Sequence, residues 1–246
     1  MRLLSVDWDY FVPSIDQEVI GGGSRVPYVT GASEVFAGTL LDALWDARAA
    51  ALLAADCRLP GTSGDDLTFW NRFRLAAGAR LYYADSHAQA AHAAVRTGVT
   101  EVWNFDAHHD CGYEGAWDDP LRLGWVACAN WMCAYALAGA ALRVRYPRWR
   151  RDALMREVPP LCRVDRAADD GHAVEPRFDL VFVARSSAWT PPWLDERFEA
   201  FITSAPVKPR VCLDASWHSR RLDPVWTAHL HELARAPRLV SATESR

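Results

Sequence analysis

Short apolar runs alternate with Ala- and Leu-rich stretches of helical spacing along most of this chain. Arg2 to Val6 is an apolar run that predicts a short buried strand stopping at Asp7-Trp8-Asp9. Pro13 and the Gly21-Gly22-Gly23 triplet mark a long loop, and Ala32 to Cys57 has helical spacing. Ser63-Gly64-Asp65-Asp66 reads as a helix start that continues through Leu67 to Ala77. Ala79 to Ala84 predicts a strand, His87 to Thr97 a helix closed by Gly98, and Glu101 to Phe105 another strand. An apolar helix is expected near Trp125 to Ala141, then a strand over Leu142 to Tyr146. Arg148 to Arg166, rich in Arg and Pro, reads as a solvated surface excursion. Further strands are predicted at Asp179 to Ala184 and Pro209 to Leu213, and helices at Pro191 to Phe201 and Pro224 to Ala234.

Strands alternating with helices predict an α/β fold: three αβα layers around a mainly parallel sheet covered on both faces. In such sheets ligands bind beyond the carboxyl ends of the strands. At 246 residues, half of them hydrophobic, the chain can build a sizeable core. No repeat or linker divides it, so residues 1–246 read as one domain. The net charge of −4 gives no reason to expect nucleic acid or an anionic membrane as a partner. The six cysteines include no CxxC pair, which argues against a zinc ribbon or a thioredoxin-like motif. The N-terminus meets an acidic residue too early for a signal peptide, so a cytoplasmic protein with free thiols is expected. The uncharged stretch from Leu123 to Leu142 is too Ala- and Gly-rich for a membrane span and reads as a buried helix. Twelve tryptophans are more than a core of this size needs, and suggest aromatic walls around a pocket.

The chemistry concentrates at predicted strand ends. Asp106-Ala107-His108-His109-Asp110 follows one apolar strand. In an extended chain, alternate side chains would place Asp106, His108 and Asp110 on one face as a partial coordination shell. Asp7-Trp8-Asp9 follows a second strand, and its paired carboxylates would repel without a cation between them. Asp85-Ser86-His87 follows a third, where Asp85 could fix the tautomer of His87. A rival acidic strand end lies at Leu213-Asp214.

These motifs resemble the arginase-like ureohydrolase superfamily. Asp106-Ala107-His108-His109-Asp110 matches its Asp-Ala-His-x-Asp signature, and Asp7-Trp8-Asp9 its strand-ending Asp-x-Asp, with Val12 where the family carries a further Asp. Asp85-Ser86-His87 is similar to its Gly-Gly-Asp-His-Ser segment, without the glycine pair. The Asn130-Trp131 pair resembles a segment of a short, divergent branch that includes peptide arginases. The likeness covers short motifs within residues 1–146. One departure is order: ordinary arginases carry Asp-x-Asp after Asp-Ala-His, so a rearranged strand order is required here. The resemblance implies a dinuclear site in which Asp7 and Asp106 bridge, His87 and Asp110 complete one shell, and Asp9 and His108 the other. Oxygen-rich ligation with two imidazoles suits two Mn2+ ions better than zinc.

The implied reaction is hydrolysis of a guanidino group, converting arginine within a peptide to ornithine and urea. Two cations would activate a water at neutral pH. His109 is a candidate proton donor to the leaving amine, and Asn130 is a candidate to orient substrate or to cap a buried helix end. The expected partner is a peptide or an arginine-like substrate. A deacetylase-like zinc amidohydrolase is one alternative, although Asp9 and Asp110 would then be surplus. A non-catalytic binding module stabilised by metal is another. The aromatic and acidic stretch Cys111 to Pro120, with Trp8, Trp117, Trp125 and Trp131 nearby and the triple-glycine loop as a flap, favours an extended peptide over free arginine.

Overall fold

Among the described residues, the fold is built around a seven-stranded sheet in which every paired neighbour runs parallel. In the computed structural model the described residues are 1–13, 41–42, 44–46, 48–49, 59–113, 126–150, 154, 157–214 and 220. The strands are β1 (Arg2–Asp7), β2 (Phe73–Ala84), β3 (Glu101–Phe105), β4 (Ala141–Tyr146), β5 (Asp165–Ala168), β6 (Val174–Ala184) and β7 (Arg210–Cys212). Their spatial order is β5-β4-β3-β1-β6-β2-β7. The first strand therefore lies in the middle of the sheet, between β3 and β6.

The central strands are apolar on both faces, as strands covered on both sides must be. Leu4 and Val6 of β1 and Val181 and Val183 of β6 point into one core. Leu3, Leu180, Phe182 and Ala184 point into the other. The first core is closed by Phe198, Phe201 and Ile202 of the helix Asp195–Ser204. The second is closed by Val95 of the helix Ala93–Arg96 and by Trp131, Met132 and Tyr135 of the helix Trp131–Leu137. These helices are named α3, α1 and α2 respectively. Helices on opposite faces make the expected three αβα layers. The described residues between 41 and 49 are also helical. No helix among the described residues is long and apolar enough to cross a membrane.

Several boundaries differ from the sequence reading. Residues 73–77, expected to be helical, belong to β2, which is preceded only by the 3-10 turns Asp65–Leu67 and Phe69–Arg72. The Ala-Ala-Gly-Ala run is helix-like in propensity, but pairing with β6 overrides it. The register between β2 and β6 slips between Leu75 and Arg80, where Gly78 takes a left-handed φ of +85°. The supposed surface excursion after Arg148 contains the start of β5, a polar edge strand without an apolar signature. The helix expected over 125–141 is confined to α2, and Ala141 already opens β4. The helix expected from His87 is a 3-10 turn, His87–Ala91, followed by the single turn of α1. The triple-glycine loop, the stretch 114–125 with Trp117 and Trp125, and the helix expected at 224–234 lie outside the described residues.

Candidate metal centre

Three strand ends of the same sheet edge supply the site. Asp7 closes β1, and its Oδ1 accepts the amide of Asp9 at 3.0 Å. That bond caps the 3-10 turn Trp8–Phe11 and folds Asp9 back beside Asp7. Asp106 follows β3 directly and is held from two sides. Asn104 Nδ2 donates to its Oδ2 at 2.9 Å, and the His108 amide donates to its Oδ1 at 2.7 Å. His87 begins the turn after β2 and reaches past the end of β6 to the middle of the sheet. The Asp106 to Asp110 segment is a bend rather than an extended strand, and Asp110 has a left-handed φ of 49°. Its ligating side chains thus converge by turning, not by the strand alternation that the sequence suggested.

The structure brings all six expected metal residues together. Asp7, His87, Asp106 and Asp110 form one group, and Asp9, Asp106 and His108 a second, each with ligand atoms within 4.8 Å of one another. Asp106 is common to both groups, whereas Asp7 stands only in the first. Around His87 Nδ1 lie Asp7 Oδ2 at 3.0 Å, Asp110 Oδ2 at 3.1 Å and Asp106 Oδ2 at 3.3 Å. His108 Nδ1 lies 3.0 Å from Asp9 Oδ2 and 3.6 Å from Asp106 Oδ1. Adjacent donors in an octahedral shell with bonds of about 2.1 Å are about 3 Å apart, so the spacing fits a hard divalent ion.

The electrostatics point the same way. Four carboxylates, Asp7, Asp9, Asp106 and Asp110, are almost fully buried. Burial, reinforced by the charges of Asp7 and Asp106, pushes the Asp9 carboxyl up to about 7. Burial and then Asp106 raise Asp110 well above the usual carboxylate range. Burial alone would depress both imidazoles, but neighbouring carboxylates reverse it. His87 is raised by Asp106, Asp110 and Asp7, and His108 by Asp9 and Asp106. Burial also works against the charge on Asp106, yet His108 and His87 hold its carboxyl below the ordinary range. In the absence of a cation, protons offset the crowding of negative charge.

Comparison with protein-family models, curated proteins and solved structures finds no match to this chain.

Several residues that support the centre were not anticipated. Ser5 Oγ lies 2.8 Å from His87 Nε2 and fixes the imidazole with Nδ1 facing the carboxylates. Asp85, expected in that role, instead pairs with Arg185 at 2.8 Å. Ser186, two residues beyond the end of the intervening strand β6, donates to Asp7 Oδ2 at 2.6 Å and has a left-handed φ of 52°. Trp131 Nε1 donates to Asp110 Oδ2 at 2.8 Å, while its ring lies 4.5 Å from that of His87. The polar Ser5 and Asn104, each set within an apolar strand, were the available sequence signals for two of these contacts.

The remaining candidates have other tasks. His109 is buried; its Nδ1 accepts the Cys111 amide at 3.0 Å and its Nε2 lies 2.8 Å from the Val158 carbonyl. Burial lowers its pKa, and with both nitrogens engaged it presents no proton to the pocket, so the proton-donor expectation gains no support. Asn130 Oδ1 accepts the Ala127 amide at 2.8 Å and closes a 3-10 turn, which is the capping role. Asp214 Oδ2 accepts the amide of Asp85 and belongs to neither ligand group. Trp8 and Trp131 are core residues.

Above the centre lies a cavity of about 200 Å³ lined by Asp7, Asp9, His108, Asp110, Tyr113, Cys128, Ala129, Ser186 and Trp189. Among the described residues its aromatic walls are Tyr113 and Trp189. Tyr113 is fixed by a bond from its hydroxyl to Glu157 at 3.1 Å.

Proposed function

We propose that this chain is a dinuclear metal-dependent hydrolase that cleaves a guanidino group, turning peptidyl arginine into ornithine with release of urea. The observation that carries the proposal is the pair of ligand groups sharing Asp106 at the floor of an acidic cavity. The donor set fits two hard divalent ions: oxygen donors outnumber nitrogen, and manganese suits that balance. When bound, two such ions supply an activated water as nucleophile.

The chain's own residues account for binding and orientation. The planar faces of Tyr113 and Trp189 suit a flat cation by stacking and cation–π attraction. Ser186 and Trp131 hold Asp7 and Asp110 by hydrogen bonds, so these carboxylates need not reorganise when substrate enters. A cavity of 200 Å³ is below the roughly 300–1,000 Å³ of pockets that enclose whole small ligands. That size favours an inserted side chain over an engulfed free amino acid. A mononuclear zinc amidohydrolase would leave the Asp9 and His108 pair without a task.

The deciding experiment measures urea released by the manganese-loaded protein from free arginine and from arginine within short peptides. Faster turnover of the peptides is expected. Preference for free arginine would remove the peptide reading, and no urea from either at full metal occupancy would leave a binding module.

A further inference from the structure

Behind the metal centre lies a second group of reactive side chains. Cys111 directly follows Asp110, and its thiol is fully buried in the core that α2 closes. Cys162 packs against that core and is partly exposed, and Cys133 of α2 is buried next to it. The neighbouring thiols of Cys111 and Cys133 act on the Cys162 sulfur and lower its pKa. Cys162 and Cys133 also line a cavity of about 700 Å³ that shares no lining residue with the substrate pocket. Among the described residues, the groups that converge tightly enough for one ion are the Asp/His groups and not this trio. The three sulfurs therefore do not form a closed cage.

The backbone brings two of the three sulfurs together. The Leu161 amide donates to the Cys111 carbonyl at 3.0 Å, and Tyr113 bridges Pro160 in antiparallel fashion. Gly112 lies between, so close to Leu161 that a Cβ there would come within 2.6 Å of Leu161 Cδ1. The segments 111–113 and 160–162 therefore run side by side at van der Waals distance, with Cys111 and Cys162 at facing ends. The Cys111 thiol also donates to the His109 carbonyl at 3.1 Å.

We infer that Cys162 is a hydroperoxide-reactive thiol that, once oxidised, closes a disulfide with Cys111. In the first step the Cys162 sulfur attacks the terminal peroxide oxygen. An S–O bond forms and the O–O bond breaks, the sulfur is oxidised to sulfenic acid, and the peroxide is reduced to water or an alcohol. In the second step the Cys111 sulfur displaces the sulfenic oxygen. The S–S bond forms, the S–O bond breaks, and the oxygen leaves as water with the proton of the Cys111 thiol. The neighbouring Cys111 and Cys133 thiols favour the thiolate at Cys162, against the effect of burial. The bond places an oxidant-formed link one residue from Asp110. The inference is independent of the substrate proposed above.

The test is thiol mapping of the metal-loaded full chain treated with a few equivalents of hydrogen peroxide. Samples are quenched with an alkylating reagent over time, digested and read by mass spectrometry. Cys212 serves as an internal reference, because it is also partly exposed but burial raises its pKa. The expected result is loss of free Cys162 at least ten-fold faster than Cys212, with a peptide linking Cys111 to Cys162. In Cys111→Ser the same treatment should leave Cys162 as a sulfenic acid trapped by a dimedone probe. Equal or slower loss of Cys162 relative to Cys212 in the unmodified chain overturns the inference, as does a Cys133–Cys162 link in place of the expected one.

Discussion

At the scale of single residues, the centre depends on which carboxylate is shared. Asp106 alone stands in both ligand groups, is fully buried, and has both oxygens engaged. Asp7 and Asp9 belong to one group each. Asp106→Asn keeps the shape but removes a charge from both groups, so it should cut bound manganese from about two ions per chain to below one. Asp9→Asn should cost about one ion and leave the other in place. Elemental analysis after dialysis checks both, and two ions retained by Asp106→Asn would show that the groups do not share it. The contact from Ser5 to His87 gives a subtler test. Partners that orient a ligating imidazole typically account for about 10–100-fold in metal affinity. Ser5→Ala should therefore weaken the first ion by about that factor in a chelator titration, with the second unchanged.

At the scale of elements, the strands that end in the site were legible because each is a mainly apolar run that stops at an acidic residue. Arg2 to Val6 and Glu101 to Phe105 show this in the sequence, and the structure sets them side by side as β1 and β3. What was not legible depended on pairing. Residues 73–77 carry helix formers, and only β6 alongside makes them strand. β5 has no apolar pattern because it is a short polar edge. Ser186 could not be singled out, since its role comes from β6 lying between the ends of β1 and β2, a fact of topology. The helices are held by their buried faces. Phe198 of α3 is fully buried, and its ring lies 5.4 Å from that of Trp8, in the turn that carries Asp9. Phe198→Ala should destabilise the fold by about 3–5 kcal/mol, read as a lowered urea midpoint. An effect below about 1 kcal/mol would mean that α3 does not close that core.

At the scale of the whole molecule, one centre sets how stability responds to pH. Without a cation, the folded chain keeps protons that the unfolded chain would release. Asp9 holds its proton up to about 7 against an unfolded value of 3.8, and Asp110 is raised in the same direction. His87 and His108 are raised well above their ordinary 6.5. Each of these groups binds more protons folded than unfolded, so each contributes less to stability as pH rises through its folded value. Asp106 is shifted the other way, but its contribution is complete above the unfolded value of 3.8 and stays constant at neutral pH. His109 and Cys162 are also shifted downward and gain stability as pH rises towards their unfolded values, but the four raised groups outnumber them, so the metal-free protein loses stability from pH 6 to pH 8.5. Each proton that differs between the two states is worth about 1.4 kcal/mol per pH unit, or roughly 3–5 °C in melting temperature for a chain of this size. Metal reverses the trend. It binds the deprotonated ligands of the folded state and displaces those protons, so its affinity and its stabilisation by mass action grow with pH. Melting curves with excess manganese and with a chelator should therefore diverge from pH 6 to pH 8.5, the chelated curve falling as the loaded curve holds or rises. A chelated protein whose melting temperature rises over that interval would mean that the six residues do not form one proton-binding, metal-binding cluster.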